Sequence, residues 1–184
     1  QLKPMDGSLA QSGKMRVGYF SQHQVEELDF QDTPIQHMTR LMSDASPGAV
    51  RGQLARFGFS GDKATIEVKH LSGGERARLA LALITRDAPH MLILDEPTVG
   101  LDPKQIIEIR DLIKSAMRLR PDRIIVGEVR AGEALDLITV MNAGHGGSMG
   151  TTHANSPMDA LVRLETLASM GDSTIPLAAL RRQI

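Results

Sequence analysis

Two short stretches carry the residue types that phosphate and metal chemistry require. Leu71-Ser72-Gly73-Gly74-Glu75 reads as a Ser-Gly-Gly turn opening a helix. Bare backbone N–H groups and the positive end of the helix dipole can take a phosphate oxygen there. Sixteen residues after Glu75 begins the apolar run Met91-Leu92-Ile93-Leu94, which ends in Asp95-Glu96-Pro97. A strand ending this way sets two carboxylates at the C-terminal edge of a sheet. Asp95 can then hold Mg²⁺ through water, and Glu96 can polarise an attacking water. A helix N-cap and an ordinary strand terminus would use the same residue types separately. Their occurrence together, in this order, favours phosphate chemistry.

A second acidic strand follows thirty-three residues after Asp95. Arg123-Ile124-Ile125-Val126-Gly127-Glu128 ends in a carboxylate, with Arg118, Arg120, Arg123 and Arg130 clustered around it in sequence. The arginines suit either a solvated surface or a polyphosphate or subunit contact. Beyond it lies the glycine-rich stretch Gly144-His145-Gly146-Gly147-Ser148-Met149-Gly150-Thr151-Thr152-His153. Its Gly146–Gly150 segment fits the G-x-S-x-G expression of a nucleophile elbow. That elbow needs a strand before the serine and a helix after it, whereas the order here is helix, glycine turn, strand.

Those residues need elements to position them. A strand is expected over 15–20, and helices over 34–42 and 47–57, each opened by a capping residue and proline (Thr33-Pro34, Ser46-Pro47). Gly58 should stop the second helix. Residues 75–86 are apolar nearly all round, as in a helix buried on most sides. The helix over 103–118, capped by Asp102, shows an apolar stripe of Ile106, Ile109, Ile113 and Met117. A strand at 123–127, a helix at 131–141, a strand near 148–152 and a helix from Pro157 complete the chain. Alternating strands and helices make the class α/β with a mainly parallel sheet.

Composition narrows the chemistry. The 184 residues are 41% apolar, with 21 Lys and Arg against 22 Asp and Glu and a net charge of −1. Bulk electrostatics therefore give no support to a nucleic-acid or anionic-membrane partner. The absence of cysteine excludes disulfides and thiol catalysis and allows a reducing compartment. No apolar run approaches the ~18–20 residues that span a bilayer. The six histidines lack H-E-x-x-H spacing. Nor does a G-x-x-x-x-G-K-[ST] phosphate loop occur. The nearest match, Gly7 to Met15, is one residue too long, puts Met15 where Mg²⁺ needs a hydroxyl, and reads as a turn before the first strand. The chain starts at Gln1, so a fragment or processed product is expected.

Residues 1–115 resemble the ATP-binding cassette (ABC) ATPases. Leu71–Glu75 is similar to their signature motif, Leu92–Glu96 to the Walker B strand, Gly100-Leu101-Asp102 to the D-loop and Tyr19-Phe20-Ser21-Gln22 to the Q-loop. Val17–Gln24 and Thr33–His37 look like the second cassette of the ABC-F proteins, which are ribosome-associated ATPases. Val99-Gly100 replaces the Asn-His usual there, and Thr98–Lys104 looks more like cassettes that power export. Residues 114–184 resemble the C-terminal half of type II and type IV secretion traffic ATPases. Arg120–Arg130 corresponds to that family's Walker B and Gly144–Ser156 to its His box.

The resemblances imply a sheet like that of P-loop ATPases, lacking the Walker A strand and helix, with a helical signature subdomain over roughly 30–75. The expected domains are the C-terminal part of an ABC ATP-binding domain (1–115) and that of a traffic ATPase domain (116–184). ATP and Mg²⁺ are the implied cofactors. Glu96 would be the general base and Glu128 the acidic group of the second family. Asp95 and Gln22 would contact Mg²⁺ through water. Ser72, Gly73, Gly74, Asp102, His145 and His153 would meet the nucleotide. The implied partner is a P-loop-bearing ATPase subunit or domain, with the ribosome or secretion machinery beyond it, in the cytoplasm. Gly127-Glu128 stands where an ABC chain places its switch histidine. The competing expectation is an inactive chimeric or truncated fragment, or a traffic-ATPase fragment acting as an interaction module.

Overall fold

The computed structural model describes residues 6–7, 12–95 and 103–184. Four parallel strands form one sheet in chain order: β1 (Val17–Phe20), β2 (Met91–Leu94), β3 (Arg123–Val126) and β4 (Met149–Gly150). Each strand is followed by helical structure, as parallel neighbours require a crossover. α1 (Gln22–Glu26) follows β1. α2 (Pro34–Leu41), α3 (Pro47–Ala55), two 3-10 turns (Gly61–Ala64 and Val68–His70) and α4 (Gly73–Ile84) then lead to β2. α5 (Pro103–Arg118) joins β2 to β3, and α6 (Glu133–Asn142) joins β3 to β4. α7 (Pro157–Gly171) and the short α8 (Leu177–Leu180) end the chain.

The local signals read from sequence act as expected. Thr33 Oγ1 accepts from Gln36 N–H at 3.3 Å and Ser46 Oγ from Ala49 N–H at 3.3 Å, each with proline in the first turn. α3 stops where Gly58 takes φ +85° and Phe59 N–H reaches back to the Leu54 carbonyl at 3.1 Å. Only glycine adopts that left-handed turn without strain. Near Gly7–Met15, Met15 N–H bonds the Ser12 carbonyl at 3.0 Å, and β1 follows directly.

The buried side chains of the two central strands share one face of the sheet. Leu92, Leu94, Ile124 and Val126 are at most 1% exposed, and Leu79 and Leu81 of α4 are fully buried. α4 crosses β1 so closely that a Cβ at Gly18 would sit 3.1 Å from Ile84. The helices before α4 pack on one another and on α4, forming the helical region that carries the Ser-Gly-Gly turn. Arg110 of α5 ties three helices together. Its Nε meets Asp136 of α6 at 2.7 Å, and its guanidinium donates to the Gly171 carbonyl at the end of α7 at 2.7 Å. The 115/116 boundary expected from sequence falls inside α5.

Candidate functional site

The register aligns the strand ends. Phe20 pairs with Leu94, Leu94 with Val126 and Val126 with Gly150. The ladder runs one step further, because Asp95 N–H bonds the Phe20 carbonyl at 2.8 Å and Gly127 N–H bonds the Leu94 carbonyl at 2.7 Å. Ser21, Asp95, Gly127 and Thr151 therefore form one row at the C-terminal edge. Gln22, opening α1, and Glu128 each stand one residue beyond it. Adjacent strands lie about 4.8 Å apart, so the acidic ends of β2 and β3 are neighbours. In parallel α/β sheets this edge is where ligands sit. Glu96 and Asp102 lie outside the described residues.

The two described carboxylates at this edge, Asp95 and Glu128, each have a protein partner. The Tyr19 hydroxyl donates to Asp95 Oδ2. Glu128 is 16% exposed; it accepts from the Arg130 guanidinium, and His153 Nε2 stands 3.2 Å from its Oε1. The Arg130 hydrogen bond holds the Glu128 carboxyl below its ordinary range, helped by the charges of Arg130, His153 and Arg163 and opposed by desolvation. Glu128 is thus an ionised acceptor rather than a proton donor near neutral pH. A cleft of about 460 Å³ opens beside it, lined by His153, Ala154, Asn155, Asp159 and Arg163.

The loop bearing Glu128 and Arg130 is set by a residue that the sequence reading missed. Glu133 is fully buried, and its Oε1 accepts from Arg130 N–H at 2.6 Å and Ala131 N–H at 2.9 Å. Its other oxygen is buried without a partner among the described residues. A glutamate three residues after Arg130, at the start of a helix, was the available signal. Val129 N–H bonds the Thr151 carbonyl at 2.8 Å, and Thr151 Oγ1 donates to the Gly127 carbonyl, so β3 and β4 stay joined past their ends.

The Ser-Gly-Gly turn is built as a reciprocal cap. Ser72 Oγ accepts from Glu75 N–H at 3.2 Å, and Glu75 Oε2 accepts from Ser72 N–H at 2.9 Å. Lys63 Nζ lies 2.9 Å from Glu75 Oε1. These contacts hold the Glu75 carboxyl at about 2, with the Lys63 hydrogen bond the largest cause and the Ser72 amide next. Ser72 Oγ accepts here, so its own proton remains available to a ligand. Ser72 and Gly73 are exposed and Gly74 is buried.

The structure separates residues that lie close together in the sequence motifs. His145 does not join His153 near Glu128. It is 9% exposed at the opposite, N-terminal edge, where its Nδ1 donates to the Pro121 carbonyl at 2.7 Å. β4 lies between the two histidines, so their eight-residue separation carries them to opposite ends of a strand rising about 3.3 Å per residue. The four arginines divide likewise: Arg118, Arg120 and Arg123 precede or open β3, and Arg130 follows it. Ser148 is buried before β4, accepts from Ile124 N–H at 3.0 Å and donates to the His145 carbonyl at 2.8 Å, so it is not a nucleophile elbow.

Mg²⁺ takes oxygen ligands and keeps several waters, needing one or two carboxylates plus substrate phosphates. Asp95 and Glu128 supply that donor chemistry. The described residues contain no cluster of three or more His, Asp or Glu that could hold a metal on its own.

Comparison with known proteins finds two families along the chain, whose matches overlap at residues 84–99. Residues 2–99 match the ABC transporter family model, and residues 84–180 that of the type II/IV secretion system proteins. Each covers just over half of the 184 residues. The Escherichia coli (strain K12) "Probable ATP-binding protein YheS" is 42% identical over 117 residues, 64% of this chain and 18% of that one. ABC transporter F family member 4 of Arabidopsis thaliana is 33% identical over 151 residues, 78% of this chain and 21% of that one. A Mycobacterium tuberculosis (strain H37Rv) protein named for conjugal transfer, Rv3659c, is 40% identical over 96 residues, 52% of this chain and 27% of that one. The chain thus spans 18 to 27% of the length of these relatives. It is a member of two families, the ABC transporter family through residues 2–99 and the type II/IV secretion system protein family through residues 84–180.

Proposed function

We propose that the C-terminal sheet edge is an acidic half-site for Mg-ATP, completed by a P-loop-bearing ATPase subunit or domain, and that hydrolysis is the reaction served. The observation that carries this reading is the alignment of Asp95 and Gly127-Glu128 at one edge of a continuous parallel sheet. Asp95 and Gln22 would hold Mg²⁺ through water, and the bound ion would neutralise phosphate charge. Glu96 is the proposed base that takes a proton from the attacking water. Glu128, ionised, would orient a water or a metal-bound water once Arg130 and His153 turn toward phosphate oxygens. Ser72 Oγ–H and the Gly73 and Gly74 amides would donate to a phosphate held by the partner, with Asp102 at the same junction. The ABC part would extend over 1–115 and the traffic-ATPase part over 116–184.

A second reading, an interaction module without turnover, draws support from the engagement of Asp95 by Tyr19 and of Glu128 by Arg130 and His153. Residues 1–184 also contain no G-x-x-x-x-G-K-[ST] run. A phosphate loop contributes several charge-assisted hydrogen bonds of about 1.5–3 kcal/mol each. About 4 kcal/mol separates micromolar from millimolar binding. The chain alone is therefore expected to bind Mg-ATP no tighter than about millimolar and to show no turnover dependent on Glu96. Amide NMR titration with Mg-ATP should shift Asp95, Gly127, Glu128 and His153, and Asp95→Asn with Glu128→Gln should abolish those shifts. Shifts confined to other residues would overturn the half-site. Phosphate release that Glu96→Gln abolishes would reveal a complete site and exclude the module.

A further inference from the structure

The N-terminal edge of the sheet holds a second constellation that the ATPase reading leaves unused. A cleft of about 680 Å³ is lined by Arg120, Asp122, Arg123, Gly144, His145 and Gly146, beside the end of α5. Neither guanidinium there forms a hydrogen bond or ion pair among the described residues, Asp122 included. The C-termini of α5 and α6 end at this edge, yet neither arginine donates to their carbonyls. The side chains are therefore not spent as helix caps.

The backbone beside them is equally unspent. The N–H groups of Gly144, His145, Gly146 and Gly147 have no partner among the described residues. Gly144 takes φ +94° and Gly147 φ +85°, and turns that mix right- and left-handed residues can present successive amides to an anion. Arg123 lies across this turn, and a Cβ on Gly147 would stand 3.0 Å from its Nε. His145 is buried with its Nδ1 committed to the Pro121 carbonyl, which fixes the ring and leaves Nε2 for a ligand. Arg120 takes φ +51°, a conformation costly for a side-chain-bearing residue.

We propose that Arg120, Arg123, His145 and the 144–147 amides form an oxyanion site for a compact diphosphate-class anion, on the sheet edge opposite the proposed ATP half-site. Two forked guanidiniums and a run of amides match a multiply charged phosphate oxyanion better than a single carboxylate. Its source is either free pyrophosphate or the diphosphate of a nucleotide.

The test is amide NMR titration of the chain with inorganic pyrophosphate, and in a second arm with ADP, at constant ionic strength. Saturable shifts at Gly144, Gly146 and Gly147 are expected. Tighter pyrophosphate binding identifies the free anion, and tighter ADP binding the nucleotide. Arg123→Ala should weaken binding at least tenfold. Arg120→Gly should do the same while raising the thermal midpoint, because glycine relieves the left-handed strain. A purely structural Arg120 would leave anion binding unchanged in the Arg120→Gly chain. Absent shifts at the turn, or shifts that survive both substitutions, would overturn the site. None of these readouts depends on ATP turnover, so the two proposals fail separately.

Discussion

Glu75 links the geometry of the Ser-Gly-Gly turn to a measurable pH dependence. Its carboxyl sits at about 2 in the fold, against an ordinary value near 4.5. At 1.36 kcal/mol per pH unit that difference sets a ceiling of about 3.4 kcal/mol of folding stability at neutral pH. Lys63, the largest contributor, is 57% exposed, so solvent screens its part. The Ser72 amide contact, on a side chain 20% exposed, survives better. A discounted figure of about 1–2 kcal/mol is reasonable. Because the folded value is depressed, this stability is present above pH 4.5 and is lost as the pH falls toward 2. Glu75→Gln keeps an oxygen for the Ser72 N–H and removes the charge. Urea unfolding at neutral pH should show a loss of about 1–2 kcal/mol. At pH ~3 less than half of that difference should remain. Equal losses at both values would show that the charge contributes nothing and that the cap is neutral hydrogen bonding alone.

Three further outcomes follow from the contacts described. Arg110→Met strips Asp136, 9% exposed, of its close partner and leaves, among the described residues, Lys114 at 4.0 Å, so unfolding should show about 2–4 kcal/mol of lost stability. Gly150→Val places a Cβ 2.5 Å from Leu137 Cδ2, and the displacement of α6 should lower the thermal midpoint by several degrees, read by circular dichroism. Sedimentation with and without Mg-ATP should show no ATP-driven homodimer, since the signature turn of one copy would face no phosphate loop in the other.

Most elements were legible because they rest on local chemistry. Thr33, Ser46, Ser72 and Ser156 cap helices by their own hydroxyls, and Gly58 ends one by its φ, so each boundary depends on residues within a turn of it. The neighbouring of β2 and β3 was legible too, from one intervening helix. The site was less so. The Tyr19 contact with Asp95 spans seventy-six positions and depends on the lateral order of strands, which no local pattern encodes. The separation of His145 from His153 was not legible, because the motif likeness passes over the strand that lies between them. Glu133 escaped notice because an acidic residue in a first helical turn is so ordinary. Its burial comes from the packing of α6 under the loop.

β2 is matched by both families, and its two sides meet different halves of the chain. Its backbone bonds β1 on one flank and β3 on the other, four residues in register with each. Main-chain ladders are indifferent to side-chain identity, whereas the faces of a central strand demand only apolar residues of suitable volume. A strand of this kind is a natural seam for genetic recombination. An exchange of coding sequence within it leaves both ladders whole and asks for repacking mainly of its two buried side chains, Leu92 and Leu94.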